Sequence, residues 1–311
     1  MNNSGIKVLF ISSSKRGRAG DVVLSQGESL KQAGIDVDYF LIKSGLKGYL
    51  SSISRIRKTW KAGGHDLVHA HYSLSAFAAS AAGRFPLVVS LMGSDVFMYG
   101  FLRCITRILS RRRWRATIVK TVEMKERLHI AKADVVPNGV DLKLFSPAGR
   151  TEARSYLNYT AQKMLILFIS APGRPEKNLE LAEKAMKILD DPDVDFRHLY
   201  NVSRTDVPYW LNAADLLLLT SKYEGSVNVI KEAMACNCPI VSTDVGDVRW
   251  VTGDTAGCYI TSFDAGEVAD AIRKALAFNA RTNGRARIIS LGLDSESIAM
   301  KILSIYERAL N

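Results

Sequence analysis

Two carboxylates eight positions apart, Glu224 and Glu232, bracket the heart of the segment YEGSVNVIKEAMACNCP at residues 223–239. Between them run Gly225, Ser226, Val227 and Asn228, and a helical pattern begins there, with Val227, Ile230 and Met234 at i, i+3 and i+7. Asn228 and Glu232 are i, i+4 neighbours on such a helix. The first N–H groups of a helix lack internal partners, and its dipole places partial positive charge there. A small turn of Gly225 and Ser226 lets a phosphate approach closely. Carboxylates repel phosphate but accept hydrogen bonds from hydroxyls. A ligand with phosphates in the middle and hydroxyls at both ends, a nucleotide sugar, fits this order. The same pattern fits a plainer reading, with Glu224 a capping acid and Glu232 a solvated helix residue. Local pattern does not separate the two.

Further candidates lie elsewhere. Gly173-Arg174-Pro175-Glu176-Lys177-Asn178 follows the apolar run 164–170. Two cations at the carboxyl end of a strand suit a diphosphate, or they mark a solvated turn. His69 and His71 alternate along one strand and so point the same way. His71, nearer the strand's carboxyl end, is the better site candidate, although strand histidines are more often packed. Asp95 lies in a loop after another strand, again at the favoured edge. Asp191, Asp193 and Asp195 have D-x-D spacing but form an acidic turn after a helix, so no metal site is expected.

The elements that must position these residues form a βαβ unit. The apolar run 214–220 precedes the helix and 239–243 follows it, which implies a right-handed crossover in a parallel sheet. The first half opens as strand 6–11, a loop 12–20 with Gly17 and Gly20, a helix ending at Gly34 and strand 37–42. This is Rossmann-like but lacks G-x-G-x-x-G. Further strands are expected at 66–71, 86–91, 117–119 and 134–136. PNGVD at 137–141 opens LKLFSPAGR, read as an interdomain linker. In the second half Asn178 is the expected N-cap of a helix to Leu189, and a last helix covers 295–310.

At 311 residues the chain holds two domains. Its net charge of +11 is uneven. Residues 1–145 carry 23 Lys and Arg against 10 Asp and Glu, a net +13, and the remainder carries 19 against 21, a net −2. The basic stretches 46–61 and 103–115 read either as a solvated helix face or as a surface for an anionic membrane; the interleaved Trp60, Trp114, Leu109 and Ile108 favour the membrane, and no nucleic-acid motif is visible. No apolar run is long enough to span a membrane, and no signal peptide is read. Cys104, Cys236, Cys238 and Cys258 have no metal spacing and read as thiols in a reducing cytosol. The expected location is cytoplasmic, with peripheral binding to the inner membrane face.

The stretch NAADLLLLTSKYEG, the run from Glu224 to Glu232 and the following VVSTDVGDVRWV together resemble the E-x7-E region of the retaining glycosyltransferases of family 4. The string 173–178 is similar to that family's G-R-x-x-x-K-N-like string, and PNGVD followed by F-x-P is frequent there. The resemblance implies the α/β GT-B fold: two Rossmann-like, doubly wound parallel-sheet domains facing a central cleft. The expected divisions are 1–145 for the acceptor, 146–294 for the nucleotide sugar, and 295–311 as a helix returning to the first domain. It implies that Arg174 and Lys177, beside Gly173, contact the donor diphosphate. Glu224 would touch the sugar, Glu232 the ribose hydroxyls, and Ser226, Val227 and Asn228, after Gly225, would offer N–H groups to phosphate. Gly17 and Gly20 would lie near the donor phosphates, although the family's adjacent Gly-Gly pair is absent. Where many relatives have a sugar-binding histidine this chain has Met92, which leaves Asp95 or His71 to take part. The implied activity is sugar transfer from a nucleotide-sugar donor to a saccharide or lipid-linked acceptor, with retention of configuration and with neither metal nor cofactor. Alternatives are an inactive GT-B-like binding or scaffold protein and a nucleotide-sugar epimerase.

Overall fold

The computed structural model describes residues 5–14, 17–97 and 99–311. In chain order the elements are β1 (Lys7–Ser13), α1 (Asp21–Gln32), β2 (Asp36–Ile42), α2 (Leu46–Gly63), β3 (Leu67–His71), α3 (Ser73–Ala82), β4 (Leu87–Ser90), α4 (Gly100–Arg112), β5 (Ala116–Val119), α5 (Val122–Leu128) and β6 (Asp134–Val135). There follow α6 (Arg150–Tyr156), β7 (Met164–Ile169), α7 (Leu179–Leu189), β8 (Val194–Leu199), α8 (Val207–Ala213), β9 (Leu216–Leu219) and α9 (Asn228–Ala235). The remainder is β10 (Ile240–Thr243), α10 (Val248–Thr252), β11 (Cys258–Thr261), α11 (Ala265–Phe278), α12 (Gly284–Ser290) and α13 (Ser295–Leu310).

The chain forms two compact units. One comprises residues to Gly139 together with Ser295–Asn311, and the other is Val140–Asp294. The division falls six residues before the expected one. The segment read as a linker packs into the second unit: Phe145 is fully buried, and Arg285 donates to the carbonyls of Phe145 at 2.8 Å and Leu142 at 3.0 Å. A guanidinium with several fixed donors can hold irregular backbone this way.

The first unit has a six-stranded sheet ordered β2-β1-β3-β4-β5-β6, and the second a five-stranded sheet ordered β11-β10-β9-β7-β8. Every strand pair is parallel. Both sheets are doubly wound, because strand order reverses once, between β1 and β3 in the first and between β7 and β9 in the second. Such sheets bind ligands outside the carboxyl ends of the strands at that reversal. Strands β3, β4, β9 and β10 are buried at every position, as covered parallel strands must be. In the second unit α7 and α11 bury Leu181, Ala185, Val268 and Ile272 in one core with Ile166 and Leu218. In the first, α13 buries Ile298, Ile302 and Tyr306.

Three expectations fail locally. Helices α6, α10 and α12 were not foreseen; each spans seven residues or fewer. Asn178 sits at the N-terminus of α7 but with left-handed backbone, φ 55°, and its side chain makes no cap. Trp114, expected on an exposed basic face, is 6% exposed in the core of the first unit, its indole N–H donating to Ser80 Oγ at 3.0 Å.

Candidate functional site

The reversal point of the second sheet collects the charged candidates. After β7 the chain turns through Gly173, whose φ of 73° lies in the left-handed region that favours glycine. A single turn at Pro175–Lys177 then aims Lys177 across to the loop after β9. The two loops are tied together. Thr220 Oγ1 donates to the carbonyl of Asn178 at 2.9 Å, and Lys222 N–H donates to the carbonyl of Glu176 at 2.8 Å. Lys177 Nζ pairs with Glu224 Oε1, which also accepts from Ser221 Oγ at 2.8 Å. Arg174 is more open, 47% exposed, and its Nε donates to Glu176 Oε1 at 2.6 Å. The structure thus brings Gly173, Arg174 and Lys177 to the same edge as Glu224, Gly225, Ser226, Val227 and Asn228.

Helix α9 begins at this edge because Val227, Ile230 and Met234 form a buried stripe that fixes its direction. Its first turn is held from the neighbouring loop. Asp247 Oδ1 accepts Val227 N–H at 2.8 Å, and Oδ2 accepts Ser226 Oγ at 2.8 Å. The Val227 N–H, expected to face phosphate, is therefore already engaged, because a carboxylate is the stronger claimant on an unpaired helix N–H. Gly246, with φ 58°, passes so close that a Cβ there would lie 2.1 Å from the carbonyl oxygen of Gly225. Glu232 lies two turns into the segment, 14% exposed, with Arg204 Nη1 3.7 Å from its carboxylate. The Arg204 guanidinium stands 5.6 Å over the Phe145 ring.

The first unit supplies a different edge. Gly17, with φ 83°, and Gly20, at the N-terminus of α1, lie after β1. His71 ends β3, fully buried, and neither of its ring nitrogens has a hydrogen-bond partner. Burial and then Lys120 push its pKa down to about 3, so it is neutral. His69 is bound on both sides, Nδ1 to the Tyr306 hydroxyl at 2.6 Å and Nε2 to Ser90 Oγ at 2.8 Å. Asp95 is 4% exposed and has both oxygens in use: Oδ1 accepts from Ser73 N–H at 3.1 Å and Ser73 Oγ at 2.7 Å, and Oδ2 from Met92 N–H at 2.7 Å. Burial raises its pKa. It holds the loop after β4 in shape, so of the two expected groups His71 alone keeps unused hydrogen-bonding capacity.

Sequence reasoning missed Lys231, Asp247 and Arg204. One sign was visible for Lys231: it stands at i+4 from Val227 on the apolar side of α9, where a lysine is out of place. Nothing local marked Asp247 or Arg204.

Two doubly wound parallel-sheet units, with a cationic loop and an acid-flanked helix at the reversal of the second, define the GT-B class of protein. Solved structures agree in fold. Sucrose-phosphate synthase from Thermosynechococcus elongatus matches with a TM-score of 0.81 and 18% identity, covering 98% of this chain and 99% of that one. Anabaena HepE in complex with UDP and glucose matches with a TM-score of 0.76 and 19% identity, over 97% and 100% of the two chains. The family profile "Glycosyltransferase Family 4" matches residues 1–144, and "Glycosyl transferases group 1" matches residues 160–277. The chain belongs to the group 1, family 4 glycosyltransferases. Among curated relatives, the protein named putative teichuronic acid biosynthesis glycosyltransferase TuaC, of Bacillus subtilis (strain 168), is 28% identical over 67% of this chain; the match spans 61% of TuaC's own length. D-inositol 3-phosphate glycosyltransferase of Arthrobacter sp. (strain FB24) is 25% identical over 82% of this chain and 76% of its own.

Proposed function

We propose that the protein transfers a sugar from a nucleoside-diphosphate sugar to a hydroxyl of a saccharide or lipid-linked acceptor, with retention of configuration and without a metal or cofactor. The observation that carries this reading is the Lys177–Glu224 pair at the carboxyl edge of the second sheet, beside the N-terminus of α9. In the transfer, the bond from the anomeric carbon to the diphosphate breaks with its electron pair leaving on phosphate. The acceptor oxygen forms the new bond, and its proton is released. Lys177 and Arg174 would stabilise the departing charge, the work a metal does in other transferases. Glu224 and Glu232 would accept hydroxyls of the sugar and the ribose, and Ser226 and Asn228 would line the phosphates. Gly17, Gly20 and His71 would contribute from the first unit, His71 as a neutral partner for a hydroxyl. TuaC's assignment to teichuronic acid supports an acceptor on the way to a cell-surface polysaccharide.

A thermal-shift screen across UDP-, GDP- and ADP-sugars tests the donor. The correct one at 100 times its Kd should stabilise the protein by about 2.7 kcal/mol. No shift with any of them, and no nucleotide released in the presence of saccharide acceptors, would reject the reading.

The same reading places the protein on the inner membrane face. No described helix is long and apolar enough to cross a membrane. Helix α4, however, leaves Phe101 65%, Ile105 39% and Ile108 48% exposed beside Arg103, Arg107, Arg111 and Arg112. These apolar groups take the part expected of Trp114 and Leu109, which pack inward. Basic residues near an anionic leaflet contribute about 1 kcal/mol each. Sedimentation with anionic but not neutral vesicles, lost when Arg111, Arg112, Arg113 and Arg115 become Gln, is expected. Equal sedimentation with both lipids would make the stretch a solvated face.

A further inference from the structure

Two buried charges sit against the turn that opens α9. The Lys231 side chain is 0% and the Asp247 side chain 4% exposed, and Nζ and Oδ2 are 2.7 Å apart. Lys231 also donates to Ser226 Oγ, the hydroxyl that Asp247 accepts. With the Val227 N–H on Oδ1, this pair grips both the side chain and the backbone of residues 226–227. Burial pulls the Lys231 pKa down while Asp247 opposes it.

Stability alone is a poor reason for such a pair, because buried ion pairs add little over well-packed apolar side chains. Their arrangement has a sharper consequence. A carboxylate is a strong acceptor for an unpaired helix N–H, so it fixes the peptide geometry of the turn. Alone, it would also place a negative charge next to the position proposed for a diphosphate. Lys231 cancels that charge. The Gly225–Gly246 approach leaves no room for the loop to shift away, since a Cβ on Gly246 would strike Gly225. We infer that Lys231 and Asp247 are positioning residues of the donor loop. Asp247 sets the geometry of residues 226–227, and Lys231 keeps the turn from repelling the diphosphate of a nucleoside-diphosphate sugar. This rests on the donor reading above.

Four proteins test it: wild type, Lys231→Met, Lys231→Met with Asp247→Asn, and Lys231→Met with Asp247→Leu. Wild type is first titrated with UDP-glucose, GDP-mannose and ADP-glucose. The matching nucleoside diphosphate and the bare nucleoside are then titrated into every variant at a temperature well below its melting point, and kcat and KM are measured with the donor. Lys231→Met should weaken diphosphate binding about tenfold and nucleoside binding less than about threefold, since the uncancelled carboxylate acts on charge. Adding Asp247→Asn should restore diphosphate binding to within about threefold of wild type, because the amide oxygen still accepts the Val227 N–H without a charge. Adding Asp247→Leu should leave kcat about tenfold or more below the Asn variant with KM little changed, because the turn is then unheld. Equal loss of diphosphate and nucleoside in Lys231→Met, or no loss, would overturn the inference and make the pair structural only. If Lys231→Met does not fold, the two double variants decide, since neither buries an unpaired charge: equal binding and kcat in both would overturn it. Failure of wild type to bind any of the three sugars would instead overturn the donor reading, and this inference with it.

Discussion

The carboxyl edges of the two sheets share a doubly wound order but balance their polar groups in opposite ways. In the second unit, opposite charges are paired: Lys177 with Glu224, and Lys231 with Asp247. In the first, burial pushes the groups toward neutrality. His71 and His69 are held deprotonated, and the Asp95 carboxyl is pushed up. A paired edge can trade an internal counter-charge for a ligand's charge. On the proposed reading Lys177 would leave Glu224 for a diphosphate, which would free Glu224 for a hydroxyl. His69, His71 and Asp95 offer no such exchange: they are held toward neutrality, the histidines in part by the nearby charge of Lys120, and neutral groups suit a partner that brings hydroxyls. The contrast between the units therefore matches the proposed division between an anionic donor and a polyhydroxylated acceptor.

Removal of Lys177 should break the comparison most visibly. Lys177→Ala is expected to lower kcat by about 10²–10³, the usual loss for one positioned donor at a site of developing charge. Arg174→Ala should cost less, because that side chain is 47% exposed and screened by solvent. The double variant should lose less than the product of the two single losses, since both act on one group. Steady-state kinetics with the donor found by the screen would check this; a rise in KM with kcat intact would contradict it.

Acid should separate the units next. In the folded protein the His71 pKa is about 3, and burial holds that of His69 well below the ordinary histidine value of 6.5. The unfolded chain protonates both below about pH 6.5. Between those values the unfolded state binds more protons, so stability rises with pH and falls on acidification, by up to about 1.4 kcal/mol per pH unit for each histidine. Above about pH 7 this dependence vanishes. Melting of the first unit followed from pH 7 to 5 should show the slope, and His71→Phe should roughly halve it. An unchanged slope would mean that the buried ring does not set the acid response.

Glu232→Gln gives the smallest effect. A charge-assisted bond to a ribose hydroxyl becomes a neutral one, so donor affinity should fall about fivefold, roughly 1 kcal/mol. Melting without ligand should barely move. Isothermal titration would show it, and an unchanged Kd would remove Glu232 from the donor site.

Much of this was legible in the chain. Strands such as β7 and β9 show because each is an unbroken apolar run, as strands covered on both faces are. The candidate-site residues of the second unit show because 173–178 and 224–228 are contiguous stretches, each following a strand. What stayed hidden depends on meetings between distant residues. Lys231 and Asp247 lie on α9 and in the loop after β10, and only the βαβ crossover brings them together. Asp95 looked like a free acid because Ser73, which donates to it twice, stands 22 residues away at the start of α3. Trp114 looked exposed because its neighbours in sequence are arginines, whereas its neighbours in space are Ser80 and the core. Helices α6, α10 and α12 are too short to show a period.

The first unit is built from two pieces of chain, and this bears on how the protein is made. On a ribosome adding about 5–20 residues per second, roughly 150 residues of the second unit separate Gly139 from Ser295, an interval of about 8–30 s. Throughout it the sheet β1–β6 exists without α13, and His69 waits for the hydroxyl of Tyr306. The second unit, continuous in sequence, meets no such delay and has all its residues in hand before the first does. The unit begun first is thus the last to be completed, and synthesis interrupted before Tyr306 leaves the second unit whole and the first still open.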